Sequence, residues 1–235
     1  MSAVLANKGE NKSMFKVPDV PIAFFDLDDT LTKKNTSSLW MDWRLQKDIR
    51  GIFEFLVGLH NNSHYRKGSL TENRMNFYFY ARTFGLSVSL YQKMSEIFFN
   101  ENGKHHIYPE ALHLIQEHKE KNIHTVIITG QDYILAYPFF KYLEADYLIS
   151  NKRIISNNKI KGFEKPNCYG EGKITLAMKY LSERNVDLKD CSFFSDSISD
   201  LPLFKEVKHP IAVNPDTKLF KMANDLKWDI YNFNV

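Results

Sequence analysis

The segment from Ile22 to Thr32, which reads IAFFDLDDTLT, constrains the fold of this chain more than any other part of the sequence. Its first half is a short and nearly continuous apolar run, which is typical of a strand buried on both faces of a parallel sheet. Three acidic residues, Asp26, Asp28 and Asp29, follow where that strand should end. The segment therefore predicts a parallel-sheet core with carboxylates at one edge.

Further apolar runs predict other strands of the same sheet. Residues 125–128 read TVII, residues 191–194 read CSFF and residues 210–213 read PIAV. Helical patterns lie between these runs, beginning at Pro109 and at Gly172. Strands that alternate with helices form right-handed βαβ units, so we expect an α/β protein with a Rossmann-like open parallel sheet flanked by helices. Ligands of such sheets bind beyond the carboxyl ends of the strands.

Residues 34–106 interrupt this alternation, because their pattern is helical throughout. Ser69 and Glu72 match a capping box at the start of one helix. Ser87 or Ser89 should begin another helix, whose apolar stripe we place at Leu90, Met94, Ile97 and Phe98. We expect an inserted all-α cap over residues 34–106, an α/β core over 19–33 and 107–235, and a polar tail over 1–18.

Two smaller features complete this organisation. Residues 153–163 read RIISNNKIKGF and predict a hairpin that turns at Asn157 and Asn158. The aromatic run at residues 77–80, with Trp40 and Trp43, is most simply the packing of a small helical cap. The alternative is that one or two of these rings line a substrate pocket.

Composition excludes several classes of protein. The net charge is only +3 over 235 residues, which gives no reason to expect a nucleic-acid or membrane-surface partner. The two cysteines offer no disulfide framework, so a reducing compartment is expected. No apolar run approaches the roughly 20 residues that span a bilayer, and the N-terminus has no signal-peptide pattern. We therefore expect a cytoplasmic protein.

The acidic pair Asp26 and Asp28 is the first candidate for chemistry. Side chains two apart in an extended segment point the same way, so both carboxylates should emerge together past the strand end. Their repulsion is costly unless a cation or a shared proton offsets it. A solvated acidic turn would give the same pattern, and the pair alone does not decide between the two readings.

The ends of other predicted strands supply more groups at the same edge. Asp196 and Asp200 follow the third strand, and carboxylate oxygens of this kind suit Mg²⁺. Thr129 and Gly130 follow the second strand and offer a hydroxyl and a backbone N–H to a phosphoryl oxygen. Lys173 opens a helix, where its ammonium group can neutralise a phosphate and the neighbouring carboxylates.

Four motifs in this order resemble the haloacid-dehalogenase-like phosphohydrolases. They are DLDDTLT at residues 26–32, IITG ending at Gly130, NCYGEGK ending at Lys173, and SDSISDLP at residues 195–202. The helical insert after the first motif is similar to the phosphoserine-phosphatase-like branch with a helical cap. This resemblance covers nearly the whole chain. It implies hydrolysis of a small phosphorylated metabolite.

The resemblance also implies a role for each residue. Asp26 would be the nucleophile that forms an aspartyl-phosphate, and Asp28 would be the general acid and base. Mg²⁺ would be held by the Asp26 carboxylate, the Asp28 backbone carbonyl and Asp196. Asp200 would hold a metal-bound water and orient Lys173. The transferring phosphoryl oxygens would be bound by Thr129, Gly130 and Lys173.

Asn35 departs from the pattern of true phosphoserine phosphatases, which carry a glutamate at this position to meet the amino group of the substrate. We therefore expect a related phosphomonoester hydrolase and keep phosphoserine phosphatase proper as the alternative. Two further alternatives are a phosphate-binding scaffold without turnover and a receiver-like signalling protein. The receiver-like reading requires roughly half this length, no helical insert and a phosphorylated Asp on a later strand.

Overall fold

The computed structural model describes residues 15–47, 51, 52, 55, 56, 83 and 86–233. The described strands are β1 Ile22–Phe25, β2 His124–Asp132, β3 Tyr147–Asn151, β4 Arg153–Ser156, β5 Lys159–Phe163, β6 Ser192–Ser195, β7 His209–Val213 and β8 Asp229–Tyr231. The described α-helices are α1 Thr36–Leu45, α2 Val88–Glu101, α3 Pro109–Glu120, α4 Tyr133–Leu143, α5 Glu171–Ser182, α6 Leu201–Phe204 and α7 Thr217–Leu226. Short 3₁₀ helices cover Gly103–His106, Leu188–Asp190 and Ile198–Asp200.

Six of these strands form one parallel sheet in the order β3-β2-β1-β6-β7-β8. The chain moves outward from β1 to β3 on one side and from β6 to β8 on the other. The order reverses between β1 and β6, where Phe25 is paired with Phe194. Such a reversal opens a crevice at the carboxyl ends of the two strands. The predicted Rossmann-like α/β fold is confirmed.

The core consists of two apolar layers, one on each face of the sheet. Ala23 and Phe25 of β1 belong to one layer, and Ile22 and Phe24 belong to the other. All four side chains are buried, and burial of an aromatic ring of this size stabilises the fold by roughly 2–3 kcal/mol. The first apolar run is therefore the doubly buried strand that its composition predicts.

The described part of the predicted cap packs an aromatic cluster against the core. The ring of Trp40 in α1 contacts the rings of Tyr91 and Phe98 in α2, with centroids 5.5 and 5.4 Å apart. Phe98 in turn contacts Phe139 of α4 at 6.3 Å. The structural reading of Trp40 and Trp43 is supported, since both are buried. The capping box at Ser69 and the aromatic run at residues 77–80 lie outside the described residues.

Half of the stripe predicted for α2 is wrong, although Phe98 is buried, Met94 packs partly buried against the core, and Ser87 caps the helix as predicted. Leu90 and Ile97 are 44% and 37% exposed. The buried face is instead formed by Tyr91, Ser95, Phe98 and Phe99. This face carries three aromatic rings, and the Ser95 hydroxyl within it donates a hydrogen bond to the buried Ile134 carbonyl oxygen at 2.8 Å.

The structure also tests the predicted hairpin and the predicted apolar face of α5. The hairpin of β4 and β5 is confirmed, and Asn157 and Asn158 both adopt the positive φ that its turn requires. The helical spacing of Ile174, Ala177, Met178 and Leu181 predicts one apolar stripe for α5. Ala177 and Leu181 are buried as this spacing predicts, but Met178 is 57% exposed. In the described portion of the chain, no helix has the length and apolar character needed to cross a membrane.

Candidate active site

Lys173 joins two carboxylates at the carboxyl edge of the sheet. Its Nζ donates to Asp26 Oδ1 and to Asp200 Oδ2, each at 2.7 Å. All three residues are buried. Asp26 follows β1, and Asp200 ends the 3₁₀ helix after β6, so two adjacent strands bring these carboxylates together. The Ser195 hydroxyl is a second donor to Asp200 Oδ2, at 2.7 Å.

The loop before α5 places Lys173 in this cluster. Gly170 has a φ of +52°, a conformation that most side chains disfavour. A Cβ on Gly172 would overlap the Asn167 carbonyl oxygen. These two glycines allow the loop to turn tightly into the first turn of α5, where Lys173 is the third residue. The glycines of the predicted motif therefore have a steric role beside the ammonium group.

Asp196 lies on the adjoining loop and is tied to the first motif by Thr30. The Thr30 hydroxyl donates to Asp196 Oδ1 at 3.1 Å and accepts from the Asp196 backbone N–H at 3.0 Å. Asp29, just before Thr30, has a φ of 58° that turns the chain back towards the sheet. The loops after β1 and β6 are thus held side by side, with Asp26 and Asp196 on neighbouring strand ends.

The electrostatics of this cluster favour added positive charge. Burial, helped by the negative charges of Asp200 and Asp28, outweighs the opposing charge of Lys173 and raises the pKa of Asp26 to about 7. Burial and the charge of Asp26 hold the pKa of Asp196 well above its usual range. Burial opposes the charged form of Lys173, but Asp200 and Asp26 outweigh it and raise its pKa. One ammonium group therefore contacts two carboxylates, those of Asp26 and Asp200, while the charges of Asp28 and Asp196 lie near them.

The donor set fits a hard divalent cation. Asp200 Oδ1 is buried and has no hydrogen-bond partner within the described residues. Over the same residues, no group of three or more His, Cys, Asp or Glu side chains is placed to hold a metal on its own. The set predicted from sequence needs only two side-chain carboxylates, from Asp26 and Asp196, and the Asp28 backbone carbonyl. Mg²⁺ usually takes few protein ligands and keeps several waters.

Asp28 is held by the first turn of α1. Its Oδ1 accepts hydrogen bonds from the Thr36 backbone N–H at 2.7 Å and from the Thr36 hydroxyl at 2.5 Å. The next two N–H groups of the helix, those of Ser37 and Ser38, donate to Asn35 Oδ1 at 3.0 and 3.2 Å. The amide of Asn35 is therefore the N-cap of α1, a role that we did not predict.

Thr129 and Gly130 lie within β2, because this strand continues to Asp132 and does not end at Ile128, the end of the predicted strand. Thr129 is buried, and its hydroxyl oxygen accepts from the Gln131 backbone N–H at 3.1 Å. Gly130 lies close to the Cys168 carbonyl oxygen, which a Cβ would approach to 3.2 Å. The ladder with β3 shifts register after Ile128. Because Ile127 of β2 pairs with Phe25 of β1, this irregular stretch lies beside the loop that carries Asp26.

Several polar residues around the site were missed from the sequence. Thr30, Thr36, Gln131 and Ser195 are buried, and each hydrogen-bonds a predicted site residue or a neighbour of one. Ser195 and Thr30 lie in the same sequence motifs as the predicted aspartates, so the motifs themselves could have indicated them. Gln131 had only its place after Thr129 and Gly130 to mark it.

The family model for haloacid dehalogenase-like hydrolases matches residues 23–205. A probable phosphatase of Mycobacterium tuberculosis is 30% identical over 128 residues, which cover 54% of this chain and 45% of that protein. The chain thus spans less than half the length of that relative. The histidinol-phosphatase of Neisseria meningitidis serogroup C is 28% identical over 223 residues, or 90% of this chain and 98% of that protein.

Solved structures with the same fold extend over most of the chain. A protein of unknown function from Bordetella pertussis Tohama I has a TM-score of 0.83 and 22% identity, covering 89% of this chain and 97% of that one. A phospho-aspartyl intermediate analogue of phosphoserine phosphatase has a TM-score of 0.65 and 17% identity, covering 92% and 94%. These likenesses show that the sheet order and the flanking helices are shared.

Proposed function

Because this chain belongs to the haloacid dehalogenase-like hydrolases, we propose that it is a Mg²⁺-dependent phosphatase that hydrolyses a small phosphomonoester through Asp26. The observation that carries this proposal is the buried contact of Lys173 Nζ with Asp26 and Asp200, at 2.7 Å each. This contact supports the proposal because, at the carboxyl edge of the sheet, it brings the carboxylate that we propose as nucleophile beside the ammonium group that we propose to bind phosphate. The helical cap over residues 34–106 would cover that edge.

The proposed reaction has two steps at phosphorus. An Asp26 carboxylate oxygen attacks the phosphorus atom, the bond to the ester oxygen breaks, and Asp28 gives its proton to the departing alcohol. Asp28 then takes a proton from water as that water attacks the aspartyl-phosphate. The products are inorganic phosphate and regenerated Asp26. Among proteins with this fold, a phosphoserine phosphatase has been solved with an analogue of such an intermediate.

The remaining residues position and neutralise the phosphoryl group. We assign its equatorial oxygens to the Thr129 hydroxyl, the Gly130 N–H and the Lys173 ammonium. The Asp26 carboxylate, the Asp28 carbonyl and Asp196 would hold Mg²⁺, which when bound supplies the positive charge that this carboxylate-rich edge requires. Phosphoryl transfer depends on such positioning and charge neutralisation more than on specialised groups.

The test is a phosphate-release assay on a metabolite panel, with Mg²⁺ and with EDTA. We expect at least one small phosphomonoester to be hydrolysed, with activity lost in EDTA and restored by Mg²⁺. Histidinol phosphate belongs on the panel because a relative that matches over nearly its whole length is named for it. Inorganic phosphate binding without release from any panel member would favour the non-catalytic scaffold instead.

Substrate choice should exclude L-phosphoserine as the best substrate. The side-chain amide of Asn35 is neutral and its oxygen already accepts two N–H groups of α1, so it offers little to an ammonium group. We expect kcat/KM for phosphoserine to be at least about tenfold below that of the best panel member. A phosphoserine value tenfold above every other substrate would make the chain a phosphoserine phosphatase.

Two substitutions at position 35 sharpen this test. Asn35→Glu supplies the missing carboxylate but gives up the N-cap, whose loss costs about 1 kcal/mol. Asn35→Asp keeps a capping side chain and adds the same charge, so it is the matched control. Raised activity towards phosphoserine in both variants would assign the effect to charge, whereas equal losses on all substrates would assign it to the position of α1.

A further inference from the structure

We infer that Gln131 is a positioning residue for Asp28, acting across the junction between core and cap through the Thr36 hydroxyl. This inference rests on the proposed role of Asp28 as general acid and base. Gln131 Nε2 lies 2.7 Å from Thr36 Oγ1, and Thr36 Oγ1 lies 2.5 Å from Asp28 Oδ1. Gln131 and Thr36 are buried, so water does not compete for the hydrogen bond between them.

The orientation of the Gln131 amide is fixed by its own neighbour. Its Oε1 lies 2.9 Å from the Asp132 backbone nitrogen, which can only donate. The amide oxygen must therefore face Asp132, and the NH₂ group faces α1. There Nε2 divides its two hydrogens between the Thr36 hydroxyl and the Ser37 hydroxyl, at 2.7 and 2.8 Å. The alternative rotation of the amide would set two donors against each other.

The amide in turn fixes the direction of the Thr36 hydroxyl. A hydroxyl group has one hydrogen to donate. Because Thr36 Oγ1 accepts from Gln131, that hydrogen is directed to Asp28 Oδ1. The Thr36 backbone N–H donates to the same oxygen at 2.7 Å. Two donors on Oδ1 fix the plane of the carboxyl group, and with it the direction in which its other oxygen exchanges a proton with the substrate.

Gln131 and Thr36 belong to different parts of the fold. Gln131 lies in β2 of the core sheet, whereas Thr36 is the first residue of α1 in the predicted cap. The position of Asp28 thus depends on how the start of α1 rests on the core strand. A cap that sits correctly on β2 would align the acid, and a displaced α1 would carry Thr36 and the Asp28 carboxyl group away together.

The test compares two leaving groups in Gln131→Leu. For an alkyl phosphate, the one that the wild-type enzyme hydrolyses best, kcat/KM should fall about 10–100-fold, because its alkoxide needs the proton from a well-placed acid. For p-nitrophenyl phosphate, whose phenolate leaves without a proton, kcat/KM should change by less than about threefold. With that substrate kcat and KM should fall together, since the slower step becomes hydrolysis of the intermediate.

Matched variants separate positioning from folding. Gln116→Leu makes the same change on the exposed side of α3 and should leave both substrates unaffected. Gln131→Glu keeps the acceptor for the Asp132 N–H but offers no amide hydrogens to Thr36, so it should show the same leaving-group split as Gln131→Leu. In the Asp28→Asn background, Gln131→Leu should have no further effect beyond about twofold, because interacting residues are non-additive.

Three results would overturn the inference. They are an equal loss on both leaving groups, a full loss from Gln131→Leu in the Asp28→Asn background, and wild-type kinetics in both Gln131 variants. A wild-type enzyme that releases phosphate from neither substrate would instead refute the proposed function itself. Activity of the wild-type enzyme on p-nitrophenyl phosphate therefore distinguishes the two failures.

Discussion

Two buried clusters of charge lie beyond the carboxyl ends of the central strands, and they are built differently. In one, Lys173 faces the carboxylates of Asp26 and Asp200, with Asp196 beside them. In the other, Arg153 of β4 pairs with Asp132 of β2, and both side chains are almost fully buried. The first cluster carries excess negative charge, whereas the second contains one carboxylate and one guanidinium group.

The balanced pair is surrounded by partners that complete it. Asp132 Oδ2 accepts from Arg153 Nε and from the Tyr91 hydroxyl of α2, and its Oδ1 accepts from the Ile134 N–H at 2.8 Å. The guanidinium group lies over the Phe163 ring at 4.0 Å. This pair therefore connects the hairpin, the core and a cap helix. The unbalanced cluster has an oxygen of Asp200 without such a partner, which suits a site that receives a cation and a phosphate.

The largest expected effect is on catalysis at Asp26. Asp26→Asn removes the nucleophile and should reduce turnover by roughly three orders of magnitude or more. The same variant should not lose stability in EDTA at pH 8. Because burial, the largest cause, raises the pKa of Asp26 from 3.8 to about 7, its negative charge lowers the stability of the folded state increasingly between those two pH values, and the full cost is present at pH 8. Phosphate release and urea unfolding of one preparation measure both quantities.

A large loss of stability in Asp26→Asn would contradict the distinction between the clusters. Activity near that of the wild-type enzyme would contradict the assignment of the nucleophile. Asp132→Asn is the comparison variant, since it makes the same chemical change in the balanced pair.

The second prediction separates Asp196, whose carboxylate we assign to the metal, from Asp28, whose carboxylate we assign to proton transfer. Asp196→Asn should raise the Mg²⁺ concentration needed for half-maximal activity by about tenfold or more, because it removes a ligand oxygen. Asp28→Asn should lower turnover about 10²–10⁴-fold with little change in that concentration, because only its backbone carbonyl is assigned to the metal. Activity titrated against Mg²⁺ in both variants decides this, and equal shifts would refute the assignment.

The third prediction concerns the balanced pair alone. Asp132→Asn leaves Arg153 buried without its charged partner, so the free energy of unfolding should fall by about 3–5 kcal/mol. Equilibrium unfolding in urea measures this loss. The exposed pair Lys47 and Glu101, at 2.9 Å, provides the control, since Glu101→Gln should change the free energy of unfolding far less than Asp132→Asn does. Similar losses in Asp132→Asn and Glu101→Gln would show that burial of the pair contributes nothing.

The central strands and the charged cluster could be predicted from sequence because local patterns encode them. β1, β2, β6 and β7 are apolar runs, and each aspartate of the site follows one of them. β3 and β8 were missed: they form the two edges of the sheet, and β8 has only three residues. β8 buries only one of its three residues, and the apolar run of β3 consists only of Leu148 and Ile149, so neither composition is distinctive.

The hydrogen-bonded chain from Gln131 to Asp28 could not be predicted in this way. Gln131 and Thr36 are 95 positions apart, and neither lies on an apolar periodicity. Only the folded chain brings an amide of β2 to the first turn of α1. The buried position of Ser95 in α2 could not be predicted either, since hydrophobic periodicity does not represent the hydrogen bond from its hydroxyl to the Ile134 carbonyl oxygen.

Chemical trapping of the intermediate tests the central claim most directly. Borohydride reduces an aspartyl-phosphate to homoserine, so an enzyme quenched during turnover should contain homoserine at position 26, identified by peptide mass spectrometry. The account predicts homoserine at Asp26 only when both substrate and Mg²⁺ are present, and none in Asp26→Asn. Phosphate release that continues with Asp26 unmodified, or homoserine at another aspartate, would contradict it.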